Sequence, residues 1–197
     1  MEKVHLVSTA EIGWKKFEEI SSGGTQIVLS DEVVKRVAAC RDYLDRRLEN
    51  SDEILYGINT GFGSLCDTIV SDENLGQLQL NLVMSHACGV GEEVSEEITR
   101  LMLLLKIQSL SYGHSGVQVE TVQRLADLYN NDILPVVYTY GSLGASGDLA
   151  PLAHLSLPLL GMGDVNVKGK RRKASEVIKQ MGWEPIELKS KEGLALL

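Results

Sequence analysis

The chain has 197 residues, of which 44% are hydrophobic, and this is enough apolar surface for a folded core and excludes an extensively disordered chain. Nineteen basic against twenty-seven acidic residues give a net charge of −8. That sign disfavours general attraction to nucleic acid or to an anionic membrane. We therefore expect a small-molecule substrate, with neither nucleic acid nor membrane as a partner.

The cysteines, the first residues and the apolar runs indicate where in the cell the protein is located. Cys40, Cys66 and Cys88 lack the spacing of a metal site, and an odd number is poor evidence for a disulfide framework. The first residues lack the basic and apolar regions of a signal peptide, and no apolar run reaches membrane-spanning length. We expect a cytoplasmic protein that holds no metal.

Two helices are predicted in the first half of the chain. Ser30 precedes two acidic residues, and apolar residues then recur at helical spacing, which predicts a helix over residues 31–49. Ser71 begins a second helix, which should weaken toward Gly89.

The middle of the chain is predicted to hold a buried helix. Ser95 is its N-cap, and residues 98–110 are apolar nearly all round. Residues 117–129 continue the helical pattern. The β-prone residues 136–140 follow, so the glycine-rich stretch at residues 141–151 connects two ordered segments.

Further elements are predicted in the last third. An apolar helix fits residues 149–160, and Pro158 should bend or end it. Residues 164–173 resemble a hairpin with a basic turn, and in so acidic a chain a solvated turn is favoured over a nucleic-acid patch. Ser175 is the predicted N-cap of a helix running to Met181.

The tripeptide Ala145-Ser146-Gly147 can become an electrophile. If the Gly147 nitrogen attacks the Ala145 carbonyl and Ser146 loses its hydroxyl as water, a five-membered ring with an exocyclic alkene forms. Glycine suits this step because its nitrogen must approach a carbonyl two residues back. Taken alone, the tripeptide fits a tight turn. A serine hydrolase using Ser146 is a weaker hypothesis, because the second glycine of its elbow is missing.

Four sequence blocks together resemble one enzyme family. Residues 141–154 closely resemble the signature of the aromatic amino acid ammonia-lyases. Residues 56–63 resemble the family's tyrosine loop, residues 82–91 its substrate-selectivity segment and residues 106–116 a core block. The resemblance implies a mainly α fold of the L-aspartase/fumarase-like superfamily, with short β elements in this part and most of the central helical bundle missing.

The resemblance also implies a reaction. Family members form 4-methylidene-imidazol-5-one autocatalytically from the equivalent of Ala145-Ser146-Gly147, and they use no metal or dissociable cofactor. The substrate amine adds to this ring, and Tyr56 is implied as the base that removes the β-proton. A tyrosine base needs hydrogen bonds or positive potential that favour the phenolate. Asp148 could assist ring closure or cap the following helix, and both interpretations stay open.

The pair Ser85-His86 indicates the substrate. Members acting on phenylalanine or tyrosine typically carry Phe-Leu or His-Leu there, whereas those acting on histidine resemble the pair in this chain. A histidine can hydrogen-bond a substrate imidazole, so we expect conversion of L-histidine to trans-urocanate, the first step of histidine degradation. Asn59 is a further candidate contact, whereas His154 could simply face the core. The alternatives are a lyase acting on phenylalanine or tyrosine and a non-catalytic module of the same fold.

The family is longer than this chain and builds its active sites from several subunits of a homotetramer. Residues 192–197 resemble the opening of a buried helix that needs a partner surface. We therefore expect residues 1–197 to be a truncated N-terminal region, one partial domain that is inactive alone and exposes apolar residues that drive oligomerisation.

Overall fold

The computed structural model describes residues 3–22, 24–49, 53–145 and 148–197, and helices dominate them. The helices in these ranges are α1 (Trp14–Ser21), α2 (Asp31–Glu49), α3 (Asp72–His86), α4 (Glu96–Ser111), α5 (Val119–Asn130), α6 (Ala150–Ser156), α7 (Ala174–Gln180) and α8 (Glu192–Leu196). Two 3-10 turns lie at Gly63–Leu65 and Leu157–Leu160. None of the helices described is long and apolar enough to cross a membrane.

The strands are short and form small separate sheets. They are β1 (Lys3–Val7), β2 (Thr25–Leu29), β3 (Val90–Glu93), β4 (Ile133–Pro135), β5 (Tyr138–Tyr140), β6 (Ser142–Leu143), β7 (Asp148–Leu149), β8 (Asp164–Val167) and β9 (Lys170–Lys173). Strands β1 and β2 pair in parallel, β3 pairs with β5, β6 pairs with β7, and β8 lies between β4 and β9. The expectation of a mainly α fold with short β elements is confirmed.

Helix α4 lies in the main core. Its residues Leu103, Leu104, Ile107 and Leu110 are almost fully buried, and the helix contacts α1, α2, α5 and α6. Since Ile98 and other apolar side chains of α4 remain exposed, the helix is buried on one broad face rather than all round.

Three predicted helix starts are confirmed, two of them with a side-chain cap, whereas α3 begins after Ser71 without a side-chain capping hydrogen bond. The Ser30 hydroxyl accepts a hydrogen bond from the Val33 N–H at 3.3 Å, and Ser95 caps α4 by accepting from Ile98 at 3.4 Å. Helix α6 gives way to a 3-10 turn at Leu157–Leu160, which contains Pro158 and so agrees with the predicted break. The prediction for Ser175 is wrong, because α7 begins directly after β9.

The basic turn is a hairpin stabilised by ion pairs. Lys168 and Gly169 both have positive φ values, 51° and 73°, as a tight two-residue hairpin turn requires. The Arg171 guanidinium contacts the carboxylates of Glu93 and Asp164. Arg172 and Lys173 also have acidic partners, Glu176 and Asp164, so three of the five basic residues at 168–173 are paired, which agrees with the solvated-turn interpretation.

Helix α8 corrects one expectation about residues 192–197. Leu196 is fully buried and Leu197 is 9% exposed, because both pack within this chain. Leu194 is 40% exposed. The prediction that the apolar residues of this segment as a whole lie exposed is therefore wrong.

Candidate functional site

The tripeptide lies on the β6–β7 hairpin. Leu143 pairs with Asp148, so residues 144–147 form the connection between two paired positions. Ser146, Gly147 and the side chain of Asp148 lie outside the described residues.

The surroundings of the hairpin leave room for a modified backbone. Ala145 is exposed in the turn. A β-carbon at Gly144 would meet no described atom within 4 Å. The described residue next to the tripeptide, Gly144, is therefore not crowded by the rest of the described chain.

Tyr56 lies on a loop that is fastened by its own polar side chains. The ring of Tyr56 is 60% exposed and meets Phe62 edge-on, with the ring centroids 6.0 Å apart. Asn59 accepts from the Leu55 N–H at 2.8 Å and donates to the Glu53 carbonyl at 2.9 Å. Both ends of the Asn59 side chain are thus used within the loop.

Ser85 and His86 occupy the last turn of α3. The Ser85 hydroxyl donates to the Leu82 carbonyl at 2.9 Å, and His86 Nδ1 lies 2.8 Å from the same oxygen. A carbonyl oxygen only accepts, so we assign the proton to Nδ1. In the neutral ring Nε2 is then the acceptor.

Three of the sequence blocks meet in a small apolar group, here called the junction cluster. Its members are Leu82, Ala153 and Leu197, with Phe62, Ala87 and Leu149 packed against them. Phe62 belongs to the tyrosine loop, Leu82 and Ala87 flank Ser85-His86, and Leu149 ends the hairpin strand β7. The structure therefore brings together the segments that carry Tyr56, His86 and the tripeptide.

Helix α8 supports the tyrosine loop and α3 from one side. The Gly193 N–H donates to the Gln79 side-chain oxygen at 2.9 Å. A β-carbon at Gly57 would lie 2.9 Å from a methyl of Leu194. No sequence motif pointed to Gln79, because its contact joins residues 114 positions apart.

A buried lysine of the core block also reaches α8. Lys106 Nζ lies 3.4 Å from the Ala195 carbonyl, and burial lowers the pKa of Lys106 to about 8. No sequence motif predicts a separate role for Lys106.

Comparisons with known proteins agree on one family. The family model for aromatic amino acid lyases matches residues 12–197. The curated histidine ammonia-lyase of Deinococcus radiodurans is 45% identical over 192 residues, which cover 98% of this chain and 36% of that relative. The chain thus spans little more than a third of the length of the curated relatives it matches.

Solved structures show the same coverage. The crystal structure of histidine ammonia-lyase from Trypanosoma cruzi superposes with a TM-score of 0.87 at 38% identity, covering 98% of this chain and 37% of that one. Pantoea agglomerans phenylalanine aminomutase superposes with a TM-score of 0.90 at 31% identity, covering 98% and 37%.

Proposed function

The chain belongs to the aromatic amino acid lyase family, and we propose that it carries the N-terminal part of the active site of a histidine ammonia-lyase. The reaction is elimination of ammonia from L-histidine to give trans-urocanate. The observation that carries the proposal is the junction cluster, which holds the segments of Tyr56, His86 and the tripeptide together. The names of the relatives add support for histidine as the substrate.

Ala145, Ser146 and Gly147 are the proposed precursor of 4-methylidene-imidazol-5-one. Once formed, this group would supply an electrophilic carbon for the substrate amine, which no ordinary side chain offers. The β6–β7 pairing holds the two ends of the connection in place. The absence of a metal or a dissociable cofactor stays a prediction.

Tyr56 is the proposed general base. Its hydroxyl oxygen would accept the proton from the β-carbon of the substrate, so the phenolate is the active form. Its exposed ring is reachable by a ligand. Asn59 contributes by fastening the loop through its two side-chain hydrogen bonds. A direct contact between Asn59 and the substrate stays a prediction.

His86 is the proposed specificity residue. Because Nδ1 is placed against the Leu82 carbonyl, Nε2 can accept the N–H of a substrate imidazole. The Ser85 hydroxyl also lies 3.3 Å from His86 Nδ1. Ser85 would thus orient the ring as well as border the substrate. A site that hydrogen-bonds its substrate discriminates strongly against an analogue that lacks the polar group.

The remaining expectations concern the assembled enzyme. We propose a homotetramer in the cytoplasm, with further site residues supplied by segments and subunits beyond this chain. Residues 1–197 alone are then inactive. The coverage of little more than a third of the relatives' length supports this proposal.

The test is turnover by protein expressed from its complete gene. L-Histidine should release urocanate and ammonia with a higher kcat/KM than phenylalanine or tyrosine gives its own product. His86→Leu should raise the KM for histidine by about tenfold or more, whereas Met84→Leu, an exposed neighbour on α3, should not. Preferential turnover of phenylalanine or tyrosine would contradict histidine as the substrate. Release of ammonia from none of the three amino acids would overturn the whole proposal.

A further inference from the structure

His154, the last residue of the block at 141–154, forms a hydrogen bond to which the proposed mechanism assigns no role. It lies on α6 and is 9% exposed. Its Nε2 accepts the backbone N–H of Gly89 at 2.9 Å. Since a backbone N–H only donates, Nε2 must be unprotonated and the ring proton lies on Nδ1. Burial lowers the pKa of His154, which favours this neutral ring.

The hydrogen bond joins two parts of the site. Gly89 follows His86 by three residues, at the point where α3 has ended and β3 has not yet begun. His154 stands on α6, which starts directly after hairpin strand β7. The contact therefore ties the segment that reads the substrate to the segment that carries the tripeptide.

The packing around Gly89 leaves little freedom for either segment. A β-carbon at Gly89 would lie 3.0 Å from both Cδ2 and Nε2 of His154 and 3.2 Å from the Tyr140 carbonyl. A β-carbon at Gly141, which begins the hairpin, would lie 2.9 Å from the Cα of Gly89. The backbones of the two segments thus approach as closely as glycine permits.

The other side of the His154 ring is also fixed. Tyr138 meets it edge-on, with the ring centroids 5.1 Å apart. The Tyr138 hydroxyl accepts from Arg171 at 2.9 Å, and Arg171 is paired with Glu93 at the end of β3. The imidazole is thereby held between β5 and Gly89 and has a defined orientation.

We propose that His154 is a positioning residue that sets the distance between His86 and the Ala145-Ser146-Gly147 hairpin by accepting the Gly89 N–H. The inference rests on the proposed function, because it assigns His154 to the contact between the two segments of that site. An apolar side chain of similar size would fill the space but leave the half-buried Gly89 N–H without this acceptor. His86 would then shift relative to the hairpin.

The first measurement uses substrate kinetics of the complete enzyme. His154→Leu should raise the KM for histidine about tenfold while kcat falls less than about threefold, because the lost contact concerns substrate binding. His154→Gln keeps a hydrogen-bond acceptor, so its KM for histidine should stay close to the wild-type value. His114→Leu, at an exposed histidine, is the matched control and should change neither constant. Equal KM values for wild type and both His154 variants, or equal increases in both variants, would overturn the proposal.

The second measurement does not depend on activity. Amide hydrogen exchange at Gly89 should accelerate roughly tenfold in His154→Leu and less than threefold in His154→Gln, as expected for loss of one net hydrogen bond. Unchanged exchange in the leucine variant would overturn the role of His154 even if histidine is turned over. If Gly89 exchanges rapidly in His154→Leu but the wild-type enzyme does not convert histidine, the contact is supported and the proposed function is contradicted. If the leucine variant does not fold, the glutamine variant decides alone, and a tenfold faster exchange there contradicts the proposal.

Discussion

Glu192 is a fully buried carboxylate whose loss should loosen α8. Its Oε1 accepts from the Gln118 N–H at 2.8 Å and from the Thr121 hydroxyl at 2.6 Å. Its Oε2 accepts from the Gln118 side chain at 2.7 Å and from the Lys189 N–H at 2.8 Å. Gln118 is the N-cap residue of α5, so the carboxylate also lies where the helix dipole favours negative charge.

Glu192→Gln replaces one of these oxygens by an NH₂ group. In either orientation, the new NH₂ group faces two groups that now donate to the carboxylate. One of these two groups is always a backbone N–H, which cannot rotate away. A buried donor without an acceptor costs about 1–3 kcal/mol, and the remaining hydrogen bonds lose their charge assistance. The free energy of unfolding should therefore fall by about 2–4 kcal/mol. For a chain of this size that corresponds to a Tm lower by roughly 5–15 °C.

The assay is urea and thermal unfolding followed by circular dichroism. Glu187→Gln is the matched control, since Glu187 is an exposed carboxylate on the same segment and should change stability by less than about 0.5 kcal/mol. If Glu192→Gln unfolds at the same urea concentration and temperature as Glu187→Gln, the buried carboxylate does not anchor α8. The reasoning from its four hydrogen bonds is then refuted.

Three further predictions concern neighbouring parts of the site. Because burial lowers the pKa of Lys106 to about 8, unfolding takes up a proton between that pH and the ordinary lysine value of ~10.4, so stability should rise with pH across this window. Burial also lowers the pKa of Lys191, so Lys106→Met should reduce the slope in pH-dependent urea unfolding without removing it. An unchanged slope would assign it to other groups. Gly57→Ala should cost more stability than Gly24→Ala in thermal unfolding, because both glycines have φ near +70° but only the β-carbon at Gly57 meets α8. Equal losses of stability in the two variants would show that the contact between Gly57 and α8 has no effect. Tyr56→Phe should lower kcat by about a hundredfold or more in the urocanate assay, whereas Tyr43→Phe, at an exposed tyrosine of α2, should leave kcat unchanged. A Tyr56→Phe variant with wild-type kcat would remove Tyr56 as the base.

Local signals predicted the helices that begin with a capping side chain. Helices α2 and α4 start where Ser30 and Ser95 indicate, because the cap and the apolar periodicity both act within one turn. The predicted cap of helix α7, Ser175, is wrong. The helix follows β9 without a connecting loop, so its start is set by the hairpin rather than by Ser175.

Elements that depend on distant partners were missed. Strands β1 and β2 pair in parallel although 17 residues separate Val7 from Thr25, and helix α1 lies between them. Neither five-residue strand carries a strong pattern by itself. Their pairing results from burial against the rest of the core, which a short window of sequence does not contain.

The candidate site shows the same division. Tyr56, His86 and the tripeptide could be predicted as site residues because each lies in a recognisable block. The contacts that hold these blocks together could not be predicted, because they join distant residues. The Gly89–His154 hydrogen bond spans 65 residues and the Gln118–Glu192 hydrogen bond spans 74. Convergence of the blocks is a property of tertiary packing, and it became visible only in the junction cluster.

The mass of the intact protein tests the central claim most directly, because ring formation from Ala145, Ser146 and Gly147 removes two water molecules. Protein expressed from the complete gene should be lighter than its sequence by two waters, and Ser146→Ala should remove this difference together with urocanate release. A wild-type mass equal to that of the plain sequence, in protein that still converts histidine, would contradict the account.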